Sequence, residues 1–527
     1  MRLRLFVFIL FLFSLVCLLC GQALADAEDS LYTARERFGV NVAPRFNGQP
    51  DFPGTLADYA GADELGFGWY LDWATRRHPQ KPNGIEFVQT LHGGTSQALE
   101  ETIRANPGSL WIVGNEPETR GQGEHTPQEY AHLYHGVYYF IKGIDPQAQV
   151  AIGGVVMPSP LRLKWLERCL DYYEATYGEP MPIDVWNIHM QILQEKRHGW
   201  GCGIPVGLDE DEGRLYEVVD NCNVGAFRQL IVEFRTWLYE QGERQKPVII
   251  SEYGVLMPSS YLPQGDESVL DFMEGTFDYL MTARDPQLGC PADGGRLVQR
   301  WAWFSLNFPF YEDTPGGFNG ALYDWQNPDQ LTIFGEFYRD YVSSVEEAAV
   351  PLPISRDTYI DAWAPSEAFG EKGRLKVTAD WQGNIRSTLL YFDLSQLPED
   401  ARIFEATLQM QVVARTNRQT LAFHVGPATV GWDEDITHKE AELAGLFREK
   451  PSVPCMVRTE GALLECDVTE IVRAWCEDGR DNMGFMLDTA NAENGGNVTY
   501  SFASSEWIEG PQREPHLRLC YITRQPR

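Results

Sequence analysis

The sequence predicts a closed α/β (β/α)8 TIM barrel followed by an all-β sandwich of jelly-roll type. Three observations carry this reading. From about residue 36 to 345, short apolar runs alternate with longer amphipathic ones, and eight of the short runs can be counted. Near residue 346 the texture changes at a proline-containing junction, VEEAAVPLPISRDTY. Beyond it helix-like stretches become rare and short β-rich runs dominate. Eight strands alternating with helices over roughly 250 residues is the count of a closed barrel. An open doubly wound sheet is the alternative, but no GxGxxG follows the first strand.

The predicted barrel strands are Gly39–Ala43, Leu65–Leu71, Ile85–Leu91, Ser109–Val113, Val150–Val155, Val185–His189, Pro247–Ser251 and Gln299–Phe304. Between them lie helical patterns at Thr126–Lys142, Leu161–Tyr177, Ala226–Gln241 and Glu267–Thr282. Thr126 followed by Pro127 and Glu129 combines a capping hydroxyl, a first-turn proline and an acid. In the second part, strands are expected at Arg374–Thr378, Ser387–Phe392, Ala406–Val413, Thr420–Val425, Gly484–Asp488, Thr499–Ala503 and His516–Tyr521. Polar and apolar residues alternate along many of them, the signature of a two-layer β-sandwich. One helical turn is expected at Val468–Trp475. The expected division is residues 1–25, 31–345, a linker at 346–355, and 356–523.

Residues 1–25 read as a secretory signal peptide. Arg2 and Arg4 precede an apolar run, and Ala23-Leu24-Ala25 stands before Asp26. Export to the medium or cell surface is therefore expected, without stable membrane insertion. The formal net charge of −32 repels nucleic acid and anionic membrane surfaces. An exported chain can form disulfides, and Cys202/Cys222 and Cys455/Cys466 are the pairs expected, each closing a short loop. There is no CxxC and the histidines are scattered, so no metal and no cofactor are expected.

Chemistry on such a barrel sits where strands end and βα loops begin. Two strand ends carry a glutamate. The first reads Ser109-Leu-Trp-Ile-Val-Gly-Asn115-Glu116-Pro117-Glu118, the second Lys246-Pro-Val-Ile-Ile-Ser-Glu252-Tyr253-Gly254. By count these are strands 4 and 7, which face each other across a barrel mouth. Glycoside hydrolysis needs two carboxylates flanking the scissile bond, one protonated and one ionised.

Asn-Glu-Pro after strand 4 and Glu after strand 7 resemble the clan A glycoside hydrolases, and the endings GNEPE and SEYG are similar to those of the Asl-type glucan hydrolases and xylosidase-like families. The resemblance covers roughly residues 36–345. It implies Glu116 as general acid/base, Glu252 as nucleophile and Asn115 as donor to the sugar 2-hydroxyl. His189, ending strand 6, resembles the family residue that orients the carboxylates. Trp301 and Trp303, on strand 8, stand where the family places an aromatic platform under the sugar. Trp69, Tyr70, Trp73 and His92, near the ends of strands 2 and 3, are further candidates, and Arg45, just past strand 1, could pair with a catalytic Glu.

The second part carries Asp357-Thr-Tyr-Ile360, Arg386-Ser-Thr-Leu-Leu-Tyr-Phe-Asp-Leu394, Cys466-Asp467-Val-Thr469, Asn482-Met-Gly-Phe485 and Phe502-Ala-Ser-Ser-Glu506. In this order they resemble the DNRLRE domain, a β-sandwich of exported proteins, over residues 356–523. His438 after Thr437 departs from the pattern, which usually has Trp there. Some relatives bind carbohydrate; Trp363, Trp381, Trp432 and Trp507 are possible platforms. The expected protein is a monomeric, retaining glycoside hydrolase acting on a polysaccharide or oligosaccharide, with no nucleic-acid partner. The alternatives are a non-catalytic polysaccharide-binding or adhesion protein on the same scaffold, and a polysaccharide lyase, which the sparse basic residues disfavour.

Overall fold

The computed structural model describes residues 30–46, 48–311, 314, 316–380, 383–416, 421–446, 452–458, 463–489, 498–508 and 513–524. The expected signal peptide and Trp381 lie outside them. No described helix is long and apolar enough to cross a membrane. The chain divides into two compact units, residues 1–345 and 346–527.

The first unit is α/β, and its paired strands run parallel. They are β1 (Phe38–Asn41), β2 (Trp69–Leu71), β3 (Glu86–Phe87), β4 (Gln89–Leu91), β5 (Leu110–Val113), β6 (Gln149–Ile152), β7 (Trp186–His189), β8 (Val248–Tyr253) and β9 (Arg300–Trp303). One sheet runs β3-β2-β1-β9-β8-β7, the other β4-β5-β6. β3 and β4 are halves of one run on either side of Val88. β3 pairs with β2 and β4 with β5. Parallel bridges Ala151↔Val185 and Val155↔Ile188 link the β6 segment to the β7 segment.

The longer helices are α1 (Gln97–Ala105), α2 (Pro127–Ile144), α3 (Pro160–Tyr177), α4 (Val224–Glu240), α5 (Asp266–Thr282) and α6 (Ile333–Ser344). Side chains fix where most of them begin. Thr126 and Glu129 form a reciprocal capping box with Pro127 in the first turn. Ser159, Asn223 and Thr332 accept from the third backbone N–H of α3, α4 and α6.

Strand alternation sorts the apolar residues into two layers. Trp69, Leu71, Val88, Leu110, Ile112, Ala151, Val185, Ile249 and Ala302 share one core. Their neighbours on the opposite face, such as Phe38 and Trp303, meet Phe277 of α5 or Tyr338 of α6. Gly39 is what admits Trp69: a Cβ there would lie 2.4 Å from the indole ring.

Among its described residues the second unit is antiparallel and all-β apart from two short α-helices and a 3-10 turn. Its strands are β10 (Val345–Pro353), β11 (Arg356–Asp361), β12 (Arg374–Asp380), β13 (Gly383–Tyr391), β14 (Arg402–Arg415), β15 (Phe423–Pro427), β16 (Val453–Arg458), β17 (Leu463–Asp467), β18 (Phe485–Thr489), β19 (Val498–Ala503) and β20 (His516–Arg524). Pairing runs β10-β20-β14-β17-β16-β15-β18-β13-β12-β19, and β19 returns to β14. The 14-residue β14 makes this possible: its first part pairs with β17 and β20, its last part with β19. Helix α7 (His438–Ala444) starts at Thr437 through a capping box with Glu440, and α8 (Thr469–Cys476) realises the expected helical turn.

Two expectations are corrected here. The linker drawn at residues 346–355 is mostly β10, paired with β20, because Leu352 joins the core of this unit and Ala348 and Val350 pack against it. Cys455 and Cys466 are bonded, but Cys202 and Cys222 are not: their sulfurs lie against different carbonyls, those of Gln194 and Val219.

A fully buried ion pair anchors the start of the first unit. Arg37 donates to both oxygens of Asp293, at 2.9 and 2.8 Å, and to the Gln299 carbonyl just before β9. Removing one partner leaves the other charge uncompensated in the interior. Asp293→Ala is therefore expected to destabilise the first unit by roughly 3–5 kcal/mol, read as a lowered urea midpoint of the full-length protein.

Candidate active site

Glu116 stands three residues beyond β5 with φ of 42°, in the left-handed region that a non-glycine residue enters only at a cost. Its backbone is held there at both ends. The Glu116 N–H donates to the Gly154 carbonyl at 3.1 Å, and its carbonyl accepts from Thr119 and Gly123 at 3.0 and 3.2 Å. Loops after two strands thus fix the direction of one carboxylate, which is 6% exposed.

Glu252 is aimed by an irregularity in β8. Ile249 faces the inner core, so strict alternation would turn Glu252 outward toward the helices. The ladder instead jumps: Ile188 pairs with Ile250, but His189 pairs with Glu252. On the other side Ile250 pairs with Trp301 and Tyr253 with Trp303. Ser251 is the extra residue of a bulge, which resets the alternation and turns Glu252 inward. The Ser251 N–H donates to Asn187 Oδ1 at 3.2 Å, and its carbonyl accepts from Asn41 Nδ2 at 2.9 Å. Two buried asparagines thus supply the hydrogen bonds that the bulge takes out of the ladder.

The two glutamates meet at His189. A carboxylate oxygen of each and a ring nitrogen of His189 all lie within 4.8 Å of one another. His189 Nδ1 is 3.1 Å from Glu116 Oε1. Glu252 receives two N–H donors, one on each oxygen: Trp73 Nε1 on Oε2 at 3.0 Å and Gln191 Nε2 on Oε1 at 3.2 Å. Burial raises the Glu252 carboxyl above its ordinary range, and Glu116 adds to this, while His189 and the two donors oppose it. Burial alone would lower the His189 imidazole. The Glu252 charge, the hydrogen bond to Glu116 and the charges of Glu116 and Glu118 outweigh it, so His189 is raised.

The other residues singled out in the sequence are distributed unevenly. Asn115 is half-buried beside Glu116. His92 Nε2 is 2.8 Å from the Trp73 carbonyl and so adjoins the site through its neighbour. Arg45 is exposed and pairs with neither glutamate among the described residues. Trp301 and Trp303 share a face, but it is the outer one. Both are fully buried, Trp301 edge-on to Phe38 and Trp303 edge-on to Tyr253 and Phe277, with Trp303 Nε1 donating to Gly320. Trp69 is inward but sealed in the core, its indole donating to the Arg37 carbonyl. None of these three indoles can offer a face to a ligand. Trp73, which bonds Glu252, is half-buried and lies beside Phe304, in an apolar cluster that the half-buried Trp200 and Phe308 also join.

The loop from Gln191 to Asn223, which supplies Gln191 and Trp200, is fastened down by buried polar groups. Arg162 of α3 pairs with Glu118 at 2.9 Å and with Glu195. Glu118 also accepts from Val156 N, and Glu195 from Ser159 Oγ and Arg214 N. Asn221 joins the Ile192 carbonyl to the N–H groups of Leu256 and Met257. Glu116, His189 and Glu252 also satisfy the spacing of metal ligands. Asp357, Glu434 and Glu506 form a second acidic grouping in the other unit. There Ser505 donates to Asp357 through both N and Oγ, and burial pushes Asp357 up to about 7.

Residues 55–196 match the glycosyl hydrolase catalytic core family, and residues 348–519 match carbohydrate-binding module family 96. Together the two matches support a glycoside hydrolase with a carbohydrate-binding module. The first match includes Asn115, Glu116 and His189, and Glu252 lies beyond its end. Among solved structures, an endo-β-1,3-glucanase of glycoside hydrolase family 128 (subgroup II) from Pseudomonas viridiflava is 16% identical, with a TM-score of 0.37, over 58% of this chain and 97% of its own. A subgroup I endo-β-1,3-glucanase from Amycolatopsis mediterranei, in complex with laminaripentaose, is 19% identical with a TM-score of 0.36, over 57% and 98%. A glucosidase from Croceicoccus marinus is 11% identical with a TM-score of 0.39, over 89% and 97%. Comparison with curated proteins gives no match.

The close approach of His189 to Glu116 depends on Gly154. A Cβ at that position would lie 2.4 Å from His189 Cδ2 and 2.8 Å from Nε2. Gly154→Ala is therefore expected to push the imidazole off Glu116. A displacement of this kind is expected to lower kcat/KM on the order of 100-fold, with Tm changed by only a few degrees. Wild-type kcat/KM in a folded Gly154→Ala protein would remove His189 from the site.

Proposed function

We propose that this protein is a retaining glycoside hydrolase of clan A type, built on a (β/α)8 barrel, with a DNRLRE-like, jelly-roll carbohydrate-binding module. The observation that carries this is the meeting of Glu116 and Glu252 oxygens with His189 inside 4.8 Å, at the ends of parallel strands. Retaining enzymes hold their carboxyl groups ~5–5.5 Å apart, whereas inverting enzymes need ~6.5–9.5 Å to admit a water.

The hydrogen bonds support a division of roles. Glu252, with an N–H on each oxygen, is set up as the anion that attacks the anomeric carbon. Glu116, whose Oε1 lies 3.1 Å from His189 Nδ1, is the group placed to give a proton to the glycosidic oxygen as the bond breaks. The resulting glycosyl ester on Glu252 is then hydrolysed by a water that Glu116 deprotonates. Asn115 donates to the 2-hydroxyl, and Trp73, Trp200 and Phe308 offer apolar faces to the sugar. Two carboxylates side by side, one buried and one half-buried, repel each other, which speaks against a purely adhesive scaffold.

In the second unit Trp363 is 54% exposed, whereas Trp432 is buried with its indole bonded to Met483. Trp363 is thus the better platform for a polymer chain. Such a contact raises the effective substrate concentration at the barrel. We place the protein outside the cell, acting as a monomer on a polysaccharide or oligosaccharide.

Glu116→Gln and Glu252→Gln are each expected to abolish release of reducing ends across a polysaccharide panel while Tm is kept. With the wild type, the first product seen by proton NMR is expected to keep the anomeric configuration of the substrate. Full activity in both variants would reject the reading, and an inverted first product would reject Glu252 as the nucleophile.

A further inference from the structure

Gln191 is the second residue after β7, and the proposed reaction names it only as an N–H on Glu252. It is 1% exposed. Its backbone N–H donates to the Val156 carbonyl at 3.1 Å, and the N–H of the preceding Met190 donates to the Glu252 carbonyl at 3.0 Å. The side chain is therefore carried on backbone tied directly to Glu252. Its Nε2 reaches Glu252 Oε1 at 3.2 Å, while its Oε1 is buried without a hydrogen-bond partner among the described residues.

That asymmetry is informative. A glutamine buried for packing alone would have both ends of its amide partnered. Here the donating end is spent on a carboxylate. Only the NH2 end can face an ionised oxygen, because a carbonyl there would be repelled. The bond this orientation makes is stronger to the Glu252 anion than to its neutral form.

We infer that Gln191 is a positioning residue that holds Glu252 ionised and aimed for attack. This rests on the glycosidase reading above. The groups facing Glu252 are the titratable Glu116 and His189 and the neutral donors Trp73 and Gln191. Glu116 and burial favour the protonated form; His189 and the two donors favour the anion. Of these, Gln191 can be changed without touching the acid/base pair.

The sign follows. Glu252 must be ionised to attack, so it sets the acid limb of the kcat/KM profile. Loss of a donor to the anion raises its pKa and moves that limb to higher pH. Gln191→Leu is expected to shift the limb upward by about one pH unit, the equivalent of one charge-assisted hydrogen bond. At the pH optimum kcat is expected to fall ~10–100-fold with KM changed only a few-fold. Gln191→Glu, which keeps the shape and adds a like charge, is expected to shift the limb further. The same titration can be followed without turnover as the pH-dependent indole fluorescence that Trp73→Phe removes.

An unmoved limb and an unmoved Trp73 titration in folded Gln191→Glu and Gln191→Leu would overturn the inference while leaving the glycosidase reading intact. A wild type inactive on every polysaccharide would overturn the glycosidase reading, and the Trp73 titration would then still decide whether Gln191 holds Glu252 ionised.

Discussion

The site depends on one extra residue in one strand. A parallel strand presents its side chains alternately to the two faces, and Ile249 faces inward. Without the bulge at Ser251, Glu252 would point into the helix layer, where Tyr253 now packs against Phe227, Phe272 and Trp303. The bulge removes the Ser251 peptide from the ladder, and such buried groups must find partners elsewhere. Asn41 on β1 and Asn187 on β7 provide them from opposite sides. Both asparagines face inward because they are spaced by two from Gly39 and Val185. The reach of Glu252 toward Glu116 is therefore a consequence of packing decisions on three strands.

Charge is the second constraint. Two carboxylates and an imidazole are brought together, and burial disfavours the charged forms of Glu252 and His189. What makes the cluster tolerable is that every charge has a counterpart or a donor: His189 between the two glutamates, Trp73 and Gln191 on Glu252. A second buried network, Arg162 with Glu118 and Glu195, stands directly behind and fastens the loop that carries Gln191. Glu118 is two residues from Glu116 and adds to the field that raises His189. The same short segment after β5 thus serves both the chemistry and the anchoring of its surroundings.

Much of this was legible in residue order because it is local. Helix starts at Thr126, Ser159 and Asn223 follow from side chains that cap the N–H groups three positions on. The strands that end on Asn-Glu-Pro and Ser-Glu-Tyr are continuous apolar runs, as expected of strands buried on both faces. What misled was the face of a strand. Trp301 and Trp303 lie on one side, as alternation requires, but nothing in Arg300–Trp303 says which side. The small Ala302 is the inward residue, because the core over it is already filled by Trp69 and Ile249. Gln191 carried no signal at all. Its meaning comes from a carboxylate 61 residues away. Likewise Cys202 and Cys222 were expected to close a loop, but that loop is held by Glu195 and Asn221 instead.

By itself the amino-acid sequence determined the order of elements, the change from α/β to β-rich texture near residue 346, and the two glutamates at strand ends, since periodicity, caps and strand-end carboxylates are written within a few residues. The tertiary structure alone decided which face each strand turns inward, where β8 bulges, that residues after 346 form a paired strand, and which indoles are sealed. Those outcomes depend on the space left by side chains from distant parts of the chain, and a linear pattern contains no record of that space.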